Sequence, residues 1–240
     1  MFNDRRIIGE SRVTFEQSIV TFRNVGLRYG GGNEVLRDIS FALTPGSLAF
    51  VTGPSGAGKS TMLRLCHARE KPSRGQVLVF GCNIETENED TLRALRRRIG
   101  LIPEGCRLMD HLSAFDNVAL PLRLAGHRHA DYQKDVQELV TWVGLGEKMH
   151  HRRGELSAGE CQRVAIARAV VGKPDLLLAD EPTAALDEEA SERVMRLLLN
   201  IHRFGTTVLI ATSNRNLAAL GGSPDFRLSG GTLAESGMAA

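Results

Sequence analysis

Gly53-Pro54-Ser55-Gly56-Ala57-Gly58-Lys59-Ser60, followed by Thr61, is the stretch on which the reading of this chain turns. It fits G-x-x-x-x-G-K-[ST], with the apolar run 48–52 (LAFVT) before it and a helix expected to open near Lys59. Glycines at those spacings let successive backbone N–H groups turn inward around phosphate oxygens, and the helix N-terminus adds partial positive charge. The lysine ammonium then reaches the β and γ phosphates as a mobile point charge, while the serine hydroxyl is a ligand for Mg²⁺. Gly53, Pro54, Ser55, Gly56, Ala57, Gly58, Lys59, Ser60 and Thr61 are therefore candidate nucleotide-binding residues, and Ser60 is also a candidate metal ligand.

Downstream, 176–181 (LLLADE) reads as a buried strand ending in two carboxylates, at the edge where α/β sheets bind ligands. Asp180 is placed to hold Mg²⁺ through water, and Glu181 to polarise an attacking water. Upstream, 18–23 (SIVTFR) and 39–43 alternate in polarity about a Gly30-Gly31-Gly32 turn, which predicts antiparallel edge strands. The run 76–80 predicts another strand. Acidic Glu85, Glu87, Glu89 and Asp90 precede Arg93, Arg96, Arg97 and Arg98, an order that suits the dipole of a solvated helix. From 113 to about 152 the spacing turns helical, with Leu120, Leu122, Leu124, Val136, Leu139, Val140 and Val143 as core candidates. Strand and helix then alternate: a strand at 176–179, a helix from 188 to about 203, a strand at 206–211 and a terminal pair around Phe226 and Leu233. That alternation predicts an α/β fold with a mostly parallel central sheet.

The 240 residues suffice for one domain with a small inserted lobe. A content of 42% apolar and 24% charged residues excludes the disordered and fibrous classes. Thirty Lys and Arg against 28 Asp and Glu leave a net charge of +2, too little to attract a nucleic acid, so none is expected as a partner. Every apolar run breaks well before the roughly 20 residues that span a bilayer. The start, MFNDRRIIGESRVTF, lacks an apolar signal segment, so a cytoplasmic protein is expected. Cys66, Cys82, Cys106 and Cys161 show no C-x-x-C spacing and predict neither a zinc site nor a disulfide framework.

Ser157 and Glu160 have the spacing of a capping box. The run around them, 156–160 (LSAGE) continued by CQRVAIARA, resembles the LSGGQ signature of the ATP-binding-cassette (ABC) ATPases, with Ala158 in place of a glycine. Tyr29 matches the family's adenine-stacking aromatic, and Ala185-Leu186-Asp187 matches its D-loop. The resemblance covers about 18–235 and implies a RecA-like P-loop NTPase core, an antiparallel β subdomain and an inserted helical subdomain at about 113–160. Residues 1–17 are then an N-terminal extension and 236–240 a C-terminal tail. The runs 48–61, 162–174 and 176–187 look most like the cell-division ATPases of the family, and relatives in lipoprotein release and macrolide export share much of that wording. The resemblance implies ATP hydrolysis with Mg²⁺ by a homodimer. In it, Ser157 and Gly159 of one protomer complete the site built on Lys59, Ser60, Asp180 and Glu181 of the other. It also implies a membrane partner, received near Glu104, that holds the ATPase on the inner face of the cell membrane.

Two positions depart from the family pattern. The Q-loop would carry glutamine where this chain has Glu104, which can still bind metal but adds negative charge near Glu181. At about 5 Å and an effective dielectric of about 20, that repulsion is about 3 kcal/mol before any metal screens it. The family's switch histidine is replaced by Ser213, a shorter and neutral side chain. Losing one donor to transition-state charge typically costs about 10²- to 10³-fold in rate, so ATP binding is expected to survive better than hydrolysis. Glu181, Glu104 and Ser213 are thus the candidate catalytic residues. The ATPase of a lipoprotein-release or export transporter and an ATP-gated scaffold with little hydrolysis are the alternatives.

Overall fold

The computed structural model describes residues 18–219 and 224–236. Strands β1 (Val20–Arg28) and β2 (Glu34–Leu43) pair antiparallel across the glycine turn. With β4 (Arg74–Val79) and β5 (Cys82–Asn83) they form a sheet of order β2-β1-β4-β5. Only β2 of the expected edge pair is an edge, because β1 is flanked on its other side by β4. The polarity alternation fails after Arg23 because a bulge intervenes, with Asn24 at φ +48 and a register shift between Phe22 and Val25.

The second sheet has the order β10-β9-β3-β8-β7-β6. It comprises β3 (Leu48–Thr52), β6 (Ile99–Ile102), β7 (Leu176–Asp180), β8 (Thr207–Thr212), β9 (Asp225–Ser229) and β10 (Thr232–Ser236), all parallel except β10. Its central strands are covered on both faces, which is why they read as unbroken apolar runs. Ala49, Val51, Leu176, Leu178 and Leu209 face α1 (Lys59–Cys66) and the first sheet. Phe50, Leu177, Ala179, Val208 and Ile210 face α5 (Ala158–Val170) and α6 (Glu188–Arg203). Strand β6, at four residues too short to show a period, was not anticipated. The charged helix is α2 (Glu89–Arg97), capped by Asn88, which accepts from the Thr91 N–H at 2.9 Å.

Helices α3 (Ala114–Leu124) and α4 (His129–Trp142) pack with the start of α5 around their own core. Its α3 face is Phe115, Val118 and Ala119, with half-buried Leu122 packed against them as expected; Leu120, half-buried, is not part of this core and Leu124 is 78% exposed, which corrects those two of the expected leucines. Val136, Val140 and Val143 are buried as expected. A short helix, α7 (Arg215–Ala219), follows β8. Strand β10 runs to Ser236, while the expected extension 1–17 and the tail beyond 236 lie outside the described residues.

His67 follows α1 and is buried, and its Nδ1 has no hydrogen-bond partner. Burial, reinforced by the charges of Arg69 and Arg96, depresses the imidazole from 6.5 to about 4. The folded chain therefore keeps the ring neutral while the unfolded chain takes up its proton. Stability is intact above about pH 6.5 and is lost as pH falls towards 4, by about 3 kcal/mol in full. Urea midpoints at about pH 7 and about pH 4.5 should separate the native chain from His67→Gln, which lacks this loss. An equal fall in both chains contradicts the assignment.

Candidate functional site

The loop between β3 and α1 is shaped by backbone constraints. Gly58 stands at φ +105 immediately before Lys59, a conformation that disfavours side-chain-bearing residues. A Cβ at Gly53 would collide with the Leu228 carbonyl oxygen on β9. Lys59 is buried at 5% exposure. Its ammonium donates to Gly53 O at 2.9 Å and Pro54 O at 3.2 Å, and pairs with Glu181 Oε1 at 3.0 Å. All three ammonium protons thus have acceptors at the tip of the loop. Ser60 Oγ donates to Asp180 Oδ1 at 3.1 Å, which joins the loop to the end of β7.

Glu181 lies one residue beyond β7 with φ +45, a strained setting for a non-glycine residue. Its N–H bonds Ala211 O at 2.8 Å, which fixes the turn to β8. Its Oε2 accepts from Ser213 N at 3.0 Å and from Ser213 Oγ at 3.2 Å. Ser213 therefore aims its hydroxyl at the carboxylate rather than outward. Burial holds the Asp180 carboxyl above the usual carboxylate range; the Ser60 hydrogen bond opposes this, and the charges of Glu104 and Glu181 reinforce it. Glu104 is exposed and lines, with Glu181, a cavity of about 530 Å³ between β6, α5 and the turn after β7.

A second group lies apart from the phosphate loop. Ser157 caps α5 by accepting from Glu160 N at 3.3 Å, while Glu160 Oε2 accepts from Ser157 N at 2.9 Å. Asp187 caps α6 by accepting from Ala190 N at 2.8 Å. Gly159 faces the Ala190 methyl, where an added Cβ would sit at 3.1 Å. Ser157, Gly159 and Asp187 share a depression of about 270 Å³ that no residue of 53–61 lines. Tyr29 is 41% exposed and its hydroxyl donates to Thr61 Oγ1 at 3.3 Å, so its ring stands beside α1.

Arg168 carries a positioning role that sequence reasoning missed. From α5 it donates to Cys106 O and Arg107 O, both at 3.0 Å, in a turn where Gly105, Cys106 and Arg107 all have positive φ. Nothing in the sequence but Gly105 hints at that turn. Among the described residues no group of three or more His, Cys, Asp or Glu side chains is arranged to hold a metal ion, and no helix is long and apolar enough to cross a membrane. Another cavity, of about 910 Å³, lies at the other end of the parallel strands, lined by Phe80, Trp142 and Phe204 among others.

A phosphate loop after β3, two acids at the end of β7, a parallel strand of the same sheet beyond β8, and a serine-capped helix define a nucleotide-binding P-loop ATPase. The chain belongs to the ABC transporter family of ATP-hydrolysing cassettes, whose model matches residues 36–184. It is similar to the cell division ATP-binding protein FtsE of Escherichia coli K12, with 43% identity over 199 residues, 83% of this chain and 90% of that protein. FtsE of Bacillus subtilis 168 is 38% identical over 83% of this chain and 87% of that protein. The methionine import ATP-binding protein MetN of Cutibacterium acnes is 40% identical over 95% of this chain and 61% of that protein. In structure the chain resembles the cassette MJ0796, solved as a post-hydrolysis dimer bound to ADP and Pi, with TM-score 0.84, 32% identity and coverage of 92% and 99%.

Proposed function

We propose that this chain is the ATP-hydrolysing subunit of a bacterial cell-division complex of the FtsE–FtsX type, working as a homodimer bound to a membrane partner. The single observation that carries the dimer is the separation of the two residue groups: Ser157, Gly159 and Asp187 share one depression and the phosphate loop lies outside it. Two copies set head to tail bring each group to the other's loop, so that ATP binds them together. Identity to FtsE over most of both chains supports the division role.

Within one protomer, Tyr29 stacks on the adenine, residues 53–61 cradle the phosphates, and Glu181 takes the proton of the attacking water. The oxygen donors of Ser60 and Asp180 suit Mg²⁺, a hard cation usually bound by one or two carboxylates plus substrate phosphates. Bound there with Glu104 nearby, Mg²⁺ would supply charge neutralisation on the phosphates. Lys59 reaches a γ phosphate only by turning from Glu181, so phosphate arrival frees the carboxylate for its work. Glu104 edges the cavity between the lobes, the side on which a cytoplasmic segment of the membrane partner would dock.

Capture of the tagged full chain from bacterial membranes in ATP and Mg²⁺ tests this reading. An FtsX-type membrane protein is the expected companion. A substrate-transport permease in its place overturns the division role and favours transport, the second reading that the MetN similarity supports.

A further inference from the structure

None of the candidate nucleotide-binding residues lines the cavity of about 910 Å³ at the far end of the parallel strands. Helices α5 and α6 begin at the depression that holds Ser157 and Asp187 and end at this cavity, so the ATP-driven interface proposed above leaves it open. Its apolar lining comes from separate parts of the fold: Ile19 at the entry to β1, Phe80 after β4, Leu139 and Trp142 at the end of α4, and Ile201 and Phe204 at the end of α6. Phe204 is 78% exposed and Trp142 38% exposed, so water meets two aromatic rings on one apolar surface. Exposed apolar surfaces of this kind mark places where another segment packs.

The chain itself enters the fold at the rim of this groove, where Ser18 and Ile19 both line it. Ile19 is fixed on two sides: its N–H donates to Leu43 O at 2.8 Å and its carbonyl accepts from the Phe80 N–H at 2.8 Å. The 17 residues before Ser18 therefore depart from the rim, and Ser18 Oγ is buried there without a hydrogen-bond partner. Their sequence, MFNDRRIIGESRVTFEQ, closes on an alternation in which an extended chain puts Val13 and Phe15 on the face of Ile19. At about 3.3 Å per residue, Phe15 stands about 13 Å from Ile19, within reach of the groove. With Arg98 paired to Asp175, Lys173 leaves the rim one positive charge in excess, opposite in sign to Glu16.

We propose that the N-terminal segment 1–17 docks on this groove of its own chain, with Val13 and Phe15 packed against Trp142 and Phe204. Tethered at Ser18, the segment is present at an effective concentration of about millimolar, which a second copy or a separate partner does not match. The groove lies away from the nucleotide site, so this docking goes beyond the proposed function and does not depend on it.

Trp142 is the one tryptophan of the chain, so its fluorescence reads this groove alone. In the full chain acrylamide should quench Trp142 weakly, and Phe15→Asp should raise the quenching by releasing the segment. Losing a buried phenylalanine contact lowers the ratio of docked to released segment by about 10-fold or more. Phe2→Asp, outside the alternating run, should leave the quenching as it is. A photoreactive benzoylphenylalanine placed at position 15 then identifies the occupant, with light and isotope-heavy full chains mixed before irradiation. The expected product is a cross-link within one chain to the peptides holding Trp142 or Phe204, and Phe204→Asp, on the groove side, should lower its yield. A cross-link between light and heavy chains overturns docking within the chain in favour of a second copy. No cross-link to either peptide, or quenching that Phe15→Asp leaves unchanged, overturns the proposal and returns the groove to a separate partner.

Discussion

Lys59→Ala is expected to abolish nucleotide-dependent dimerisation of this chain. The ammonium is the one buried cation at the tip of the phosphate loop and makes three charge-assisted contacts there. Contacts of that kind are worth about 1.5 to 3 kcal/mol each to a bound anion. Without it, nucleotide affinity should fall by about 10²-fold or more, and closure driven by ATP should disappear from light scattering. The substitution also strands the Glu181 carboxylate, whose side chain is only 12% exposed, and breaking such a pair costs about 3 kcal/mol of stability. Stability and binding can be told apart with a second change. In Lys59→Ala with Glu181→Gln the orphaned charge is gone, so thermal stability should recover while ATP-dependent dimerisation stays absent. A single variant that still dimerises with ATP like the native chain would remove the basis for the interface proposed above.

What the sequence reveals of this molecule follows from how local each feature is. The phosphate loop is legible because its chemistry sits in eight consecutive residues, and the Ser157 box because a cap and its N3 partner lie three residues apart. The strands β3, β7 and β8 are legible because burial on both faces leaves an apolar run with nothing to interrupt it. Strand β6 was hidden by its length, and the inner position of β1 by a bulge that breaks its alternation. On α3 the informative spacing is Phe115, Val118, Ala119 and Leu122, at i, i+3, i+4 and i+7. Leu120 and Leu124 mislead, since residues two positions from Leu122 do not share its helix face. The tie from Ser213 to Glu181 and the hold of Arg168 on the turn after β6 are tertiary, set by how β8 lies beside β7 and how α5 packs against that turn. No spacing along the chain encodes either.

Glu181→Gln should leave ATP binding intact and remove hydrolysis. The amide keeps an oxygen for the two Ser213 donors and cannot take a proton from water, so the geometry of the turn persists while its chemistry is lost. A single-turnover experiment with Mg²⁺ should show a fall of about 10²- to 10⁴-fold. On the proposed reading, in which hydrolysis separates the protomers, the same variant should accumulate as an ATP-bound dimer where the native chain cycles. Ser213 sets the scale against which that fall is read. Its hydroxyl and N–H both donate to Glu181, an arrangement that on the proposed reading orients the acid. Ser213→His restores a side chain long enough to reach that phosphate and should raise turnover, by up to about 10²-fold. If Ser213→His leaves turnover unchanged and Glu181→Gln still abolishes it, orientation of the acid by residue 213 is all that this position contributes. If Glu181→Gln turns over like the native chain, the base is another group, and Glu104, across the same cavity, is the carboxylate to replace next.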